Sequence, residues 1–556
     1  MKTFATALFL LFISLDVFSQ YTHQDTLRGS VTPERAWWDV TNYKIAVTPD
    51  YDSKTIKGSS RITYKIQGKV TPTMQIDLQQ PMQLDSAFIG SQRTKLSWQR
   101  EGNVFYIQLP AGYPNGATTD SIDLFYSGKP REAINPPWDG GWIWKKDADN
   151  RPWMSVACQG LGASVWYPCK DYQGDEPENG ASLSITVADP LTAISNGRLK
   201  EKRANGNGTT TWTWAVVNPI NNYNIVPYIG YYTNWTEDYA GVKGNLECSY
   251  WVLEKNIDKA KAQFSRDVKR MLKCFEEWFG PYPFYEDSYK LVEAPHLGME
   301  HQSAVAYGNK YMNGYLGMDL SGSGWGREWD YIIVHESGHE WFANNITTQD
   351  IADMWIHEGF TTYSEVVFVE CNYGKKAADE YCQGLRKSIS NDSKVIGPYG
   401  VNKEGSGDMY PKGANLIHTI RQIIDDEKLF KEILKGLNKD FYHKITSSKE
   451  VEEYITSKSR KDLSKVFDQY LRDTRIPVLE YKIEGNTLSY RWRECISGFN
   501  MPVRIFHNNK PYTLNATENW QTLKIKQLDE KGFSVDKNFY IHASKSDYVI
   551  PKLKNQ

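Results

Sequence analysis

Three things are scarce in this chain: net charge, long apolar runs and cysteine. The formal net charge is −2, from 65 Lys+Arg against 67 Asp+Glu. No basic stripe stands out, which argues against a nucleic-acid partner, because such surfaces carry a clustered cationic excess. No stretch stays apolar for the ~20 residues that cross a bilayer, so no membrane anchor is expected. Cysteine contributes 7 of 556 residues, too few for a disulfide scaffold at this length but compatible with an oxidising compartment. There is no C-x-x-C, so neither a zinc ribbon nor a thioredoxin-type site is signalled. Local spacing favours Cys158 with Cys169 and Cys371 with Cys382, without establishing pairing among these four and Cys248, Cys274 and Cys495. Internal repeats are also missing, which removes solenoid architectures.

What is present is ordinary globular composition, 40% hydrophobic and 24% charged. At ~100–200 residues per domain, the length gives about three domains. Lys2 followed by the apolar run Phe4 to Leu15 and then Ser19-Gln20 resembles an export signal cut after Ser19. Residues 1–19 are therefore expected to be a signal peptide and the protein to be exported, secreted or periplasmic. Segments such as Leu183-Ser-Ile-Thr-Val alternate apolar and polar residues between Gly, Asn and Asp turns, which marks residues 20–243 as an antiparallel β domain. From Ile257 the period changes: Phe264, Val268, Leu272, Phe275 and Phe279 recur at helical spacing until Gly280-Pro281. Residues 244–475 read as a mixed helical and strand domain, and alternation returns over 476–556 as a small β-sandwich. The expected fold class is multidomain α+β.

The chemistry centres on His335-Glu336-Ser337-Gly338-His339. Helical positions four apart share a face, so both imidazoles can reach one metal ion, while Glu336 can touch a metal-bound water without being a ligand. With ten His in the chain, such a motif arises by chance in roughly one chain in a hundred. Five of the ten histidines fall between His296 and His357. A catalytic zinc takes three protein ligands and leaves one position open. Glu358, in Trp355-Ile-His-Glu-Gly-Phe, follows His339 closely enough for a returning helix, Gly359 to Cys371, to supply the third. Glu365, two turns on, is placed either to buttress a ligating histidine or to sit on the surface.

Two histidines and a glutamate at this spacing resemble the gluzincins, and the surroundings are similar to the family of aminopeptidase N and leukotriene hydrolase. Leu297-Gly298-Met299-Glu300-His301 resembles the family's Gly-x-Met-Glu-Asn motif, Tyr410-Pro-Lys-Gly413 its Tyr-x-Lys-Gly motif, and Gln159 takes the place of its glutamine in the β domain. The likeness covers nearly the whole chain after the leader. It implies a saddle-like N-terminal β domain, a thermolysin-like catalytic domain and one zinc per chain held by His335, His339 and Glu358. Glu336 would be the general base and Tyr410 the oxyanion donor. Glu300, assisted by Gln159, would pair with the α-ammonium of peptides with free N-termini, while Gly298, Met299 and His301 would shape the first subsite. The implied activity is removal of N-terminal residues, with neutral or aromatic ones expected from Met299 and the aromatic content.

The chain departs from the family in places. His301 stands where Asn is usual, His357 where Asn or Asp is common, and Ser164 where Arg follows the Gln. A long C-terminal helical domain is not expected, which implies an open cleft. A thermolysin-like endopeptidase, an epoxide hydrolase and a catalytically silent peptide-binding protein are the rival readings. The first should lack Glu300 and the tyrosine motif, the second should carry the helical domain, and the third should have lost Glu336 or a ligand.

Overall fold

A computed structural model describes residues 21–114 and 116–546; the expected signal peptide lies outside the described residues. The N-terminal part is built on an eight-stranded sheet whose longest hairpin pairs Trp38–Asp50 with Thr55–Ile66. Alternation dictates its faces: Tyr43, Ile45 and Val47 are buried, and Leu183, Ile185 and Val187 continue the same pattern on Ala181–Ala188. Those two strands pair in parallel, one exception in a sheet otherwise antiparallel. A four-stranded sheet and a three-stranded sheet complete this part. The strand Pro152–Ala157 of the four-stranded sheet leads directly into Gln159.

The central part carries a five-stranded sheet in the order Tyr232–Gly241, Gly244–Leu253, Tyr289–Glu293, Val305–Tyr307, Gly298–Met299. The first two strands form one hairpin, from Tyr232↔Leu253 to Gly241↔Gly244. The expected boundary after residue 243 falls in the turn of that hairpin. Alternation looked alike on both sides and gave no sign of a change of sheet. The helix Ile257–Phe279 crosses over to the next, parallel strand, burying Phe264, Val268, Leu272, Phe275 and Phe279, and ends at Gly280, whose φ of 97° favours glycine. The short strand Gly298–Met299 is left on the edge of the sheet, against the helices that follow.

Beyond Arg475, strands such as Val478–Glu484 and Thr487–Arg493 form a four-stranded sheet facing a three-stranded one around Leu479, Trp492, Val503 and Ile505. The cysteine expectation is corrected: the disulfide joins Cys274 to Cys371, 97 residues apart, while Cys158, Cys169, Cys248, Cys382 and Cys495 are free and buried. It ties the helix Ile257–Phe279 to the end of the helix Trp355–Tyr373, two elements adjacent in space and remote in sequence. Among the described residues no helix is long and apolar enough to cross a membrane.

Candidate active site

The helix Tyr331–Gly338 begins at Asp330, whose carboxylate accepts from the backbone N–H of Ile332 (3.1 Å) and Ile333 (3.3 Å). Tyr307, Gln263 and Asn309 donate to the same carboxylate, which fixes the helix start on the sheet. One turn apart, the His335 and His339 rings lie 5.0 Å from centroid to centroid. The helix then unwinds, with φ/ψ of −128°/82° at Phe342 and 151°/−55° at Ala343. A non-glycine residue there costs of order 1–3 kcal/mol. In return the Phe342 carbonyl faces His339, 3.1 Å from Nδ1.

Glu358 lies in the first turn of the helix Trp355–Tyr373, three residues after its start rather than ahead of it. Close helix contact brings it to the histidines: a Cβ on Gly338 would lie 2.4 Å from Ser364 Oγ. Glu358 Oε2 is 3.6 Å from His335 Nε2 and 3.3 Å from His339 Nε2. The other ring nitrogens are engaged from behind. His335 Nδ1 meets Glu365 Oε1 at 2.6 Å, and Tyr381 O–H donates to the same carboxylate at 2.7 Å. His339 Nδ1 lies 3.1 Å from both the Phe342 carbonyl and Thr361 Oγ1. With Nδ1–H donating outward, both Nε2 lone pairs converge on one point.

The residues fit a metal. Oε2 of Glu358 is buried without a hydrogen-bond partner, a costly state for a carboxylate unless a cation is supplied. Ligand atoms of His335, His339 and Glu358 lie within 4.8 Å of one another. Two imidazoles and one carboxylate with an open side suit zinc. Glu300, Glu336 and His339 are as close together, but that set has only one imidazole and a less suitable donor chemistry. Burial opposes charge on Glu358, yet His339 and His335 hold its pKa far below the usual carboxylate range.

Around this point opens a cleft of ≈ 580 Å³ lined by Gln159, Gly298, Met299, Glu300, Glu336 and Tyr410 besides His335, His339 and Glu358. A Cβ on Gly298 would lie 2.6 Å from Glu336 Oε1, so any side chain there would push Glu336 out of its present position. Burial raises the Glu336 pKa to about 7, with Glu300 and Glu358 adding and the two histidines opposing. Glu300 is buried, its Oε1 accepting from Tyr223 O–H at 2.9 Å, and burial also raises its pKa. Gln159 offers a buried amide end with no partner. Burial, with Glu358 and Glu404 next, keeps the Tyr410 phenol protonated well above neutrality. Its ring lies 6.1 Å from that of His335.

His301 does not line the cleft. It is fully buried, its Nδ1 lying 2.6 Å from Tyr228 O–H. His357 is likewise buried, its Nε2 accepting from Thr348 N–H at 2.9 Å. Ser164, where the family has Arg, donates to Asp171.

Several site-building residues escaped the sequence reading. Glu340 accepts from Ser303 N–H (2.9 Å) and Tyr282 O–H (2.9 Å), and Asn344 donates to the Glu300 carbonyl (2.8 Å), so the unwound segment clamps the segment carrying Glu300. The four-residue spacing from Glu336 to Glu340 and Asn344 is the one signal that pointed to them. Gly413 touches Gly359, a Cβ on the former lying 2.9 Å from the latter's Cα, and that contact sets Tyr410 beside Glu358.

Comparison with known proteins agrees with this architecture. The chain matches the Peptidase M1 N-terminal domain over residues 40–223 and the Peptidase family M1 domain over residues 265–470. It is 22% identical to Aminopeptidase N of Lactococcus lactis subsp. lactis, covering 89% of this chain and 60% of that protein. Identity is 23% to mitochondrial Aminopeptidase 2 of Saccharomyces cerevisiae, covering 82% and 48%. The chain thus spans half to three-fifths of the length of these curated relatives. Among solved structures, a mutant M1 zinc metallopeptidase of Deinococcus radiodurans bound to a Tyr-Ser-Ala substrate shares the fold, with a TM-score of 0.65 at 18% identity over 79% of this chain and 94% of that one. A two-domain M1 zinc metallopeptidase bound to L-tryptophan gives a TM-score of 0.63 at 19% identity, over 76% and 91%. With both domain types matched in order and the zinc-type donor set assembled within the second, this chain belongs to peptidase family M1.

Proposed function

We propose that the chain is a zinc-dependent aminopeptidase that hydrolyses N-terminal residues from peptides. His335, His339 and Glu358 would hold the ion. Zinc there would polarise the scissile carbonyl and make water a competent nucleophile at neutral pH. Glu336, whose raised pKa suits a group that both takes and returns a proton, removes the proton from the attacking water and passes it to the leaving amine. Tyr410 donates a hydrogen bond to the oxyanion as it forms, a role worth about 3–4 kcal/mol at comparable sites. The Glu365 carboxylate orients His335, and the Phe342 carbonyl and Thr361 orient His339.

One observation carries the exopeptidase part. Glu300 is buried in the cleft wall with Tyr223 O–H as its donor and, among the described residues, no Lys or Arg in an ion pair with it. An α-ammonium supplies that cation, whereas an internal peptide segment leaves the carboxylate desolvated and unpaired. Gln159 would add a polar contact. Aminoacyl-arylamides assayed beside acetyl-capped counterparts test the reading, with release expected from the free amines only. Equal cleavage of capped substrates would favour the endopeptidase alternative. Full activity in zinc-bound Glu336→Gln would remove the mechanism.

Export stays part of the proposal. It rests on the leader-like residues 1–19 and on the Cys274–Cys371 disulfide, a bond that persists in oxidising compartments. Sequencing the mature N-terminus tests it; an intact Met1 in material recovered from the cytoplasm would end it.

A further inference from the structure

We infer that Glu404 makes this cleft select peptides whose first side chain is cationic, arginine or lysine. The inference rests on the aminopeptidase reading and names the substrate class for it. Four carboxylates line the cleft, and three have tasks: Glu358 for the metal, Glu336 for proton transfer, Glu300 for the α-ammonium. Glu404 has none.

Among the described residues Glu404 makes no hydrogen bond and no ion pair. It lies over the turn that follows Gln159, its Oε1 3.8 Å from where a Cβ on Gly160 would stand. Two cations lie nearby, and neither forms an ion pair with it. Arg28 is committed, donating to the Gly160 carbonyl at 3.0 Å and facing Asp171 at 3.6 Å. Lys403, its chain neighbour, is exposed and forms no ion pair with it. Burial lifts the Glu404 pKa to about 7, with Glu358 adding and Lys403 opposing. An apolar first side chain would deepen that desolvation, and a cationic one would reverse it.

The rest of the cleft suits the same guest. Trp138 lines it while 65% exposed, an indole within the cleft that a guanidinium or ammonium can meet. Met299 can pack along the aliphatic stem of lysine or arginine as well as against a neutral side chain. A neutral or aromatic preference, read from Met299 and the aromatic content, leaves Glu404 unpaired.

The test uses the zinc-loaded full chain and measures kcat/KM for Arg-, Lys-, Leu- and Phe-arylamides. Arg and Lys should exceed Leu and Phe by about tenfold or more, and Glu404→Gln should lower the Arg-to-Leu ratio about tenfold, with Glu404→Asp keeping part of it. In the wild type, free L-arginine should inhibit more strongly than L-leucine, a readout that does not depend on the variant folding. A wild type that prefers Leu or Phe overturns the inference. So does a Glu404→Gln enzyme in which all substrates fall in proportion, since that carboxylate would then serve the α-ammonium. Failure to turn over any arylamide would bring down the aminopeptidase reading itself, and this one with it.

Discussion

Replacing Gly413 by Ala should lower kcat/KM by about 10- to 100-fold while leaving the zinc in place. The added Cβ would lie 2.9 Å from the Cα of Gly359. Ordinary carbon contacts fall near 3.5–4.0 Å, so the helices must part by roughly 0.5–1 Å. Of the two, the helix Trp355–Tyr373 is anchored more firmly, by the disulfide at Cys371 and by the close contact at Gly338. The helix Pro411–Ile424 is therefore the one to yield, and Tyr410 at its first turn moves with it. A displacement of that size at a reacting group costs up to about 100-fold. Overpacking destabilises by about 1–3 kcal/mol, partly offset by the better helix propensity of Ala. Activity on an aminoacyl-arylamide, zinc by metal analysis and stability by urea unfolding give the three numbers. If Tyr410 carries the effect, Gly413→Ala adds little to Tyr410→Phe. Wild-type kcat/KM in a folded, zinc-replete variant would refute the reasoning, and so would a loss of activity that tracks loss of metal.

Other perturbations have equally definite outcomes. Glu365→Ala frees His335 Nδ1 and should weaken zinc binding about 10- to 100-fold in chelator competition; unchanged affinity would mean that Tyr331, 3.2 Å from the same nitrogen, suffices. Cys274→Ser opens a bridge between residues 97 apart and should cost about 2–4 kcal/mol, matched by the reduced wild type; a variant as stable as the oxidised protein would contradict this. Burial, followed by Arg421, pushes the His418 pKa down to about 3 from 6.5. The unfolded chain therefore binds the extra proton, and this group's contribution is present above pH 6.5 and lost as pH falls toward 3. Relative to His418→Gln, the wild type should lose about 2 kcal/mol between pH 7 and pH 5 by urea unfolding; a constant difference would mean that the ring is protonated in place.

The parts of this protein that were readable beforehand share a local origin. Alternation in 181–188, the helical spacing from Phe264 to Phe279 and its stop at Gly280 depend on neighbours within a few residues, and each became the element its pattern described. The two-histidine motif is local too, since a single helical turn decides which way both rings face. The unread parts depend on contacts across the fold. Cys274 and Cys371 meet because two helices pack, so short spacing pointed to the wrong partners. His301 has the place of a cleft residue in its motif, but its ring is buried against Tyr228, a contact made across the fold. Glu404 belongs to no motif and gains its meaning from carboxylates on three other segments.

The glycines show best why a donor list falls short of a site. Gly338, Gly359 and Gly413 sit on three helices, each where a Cβ would crowd a neighbour, at 2.4, 3.1 and 2.9 Å. In sequence each reads as a weak point of a helix, because glycine lowers helix stability by ~1 kcal/mol relative to alanine. In space they let three backbones approach until His335, His339, Glu358 and Tyr410 surround one point. That approach has no signature at any single position, since it consists of side chains absent at matching places far apart in the chain. A zinc site of this kind is therefore declared by its histidines and built by its glycines. Enlarging a glycine should accordingly disturb catalysis before it disturbs the fold.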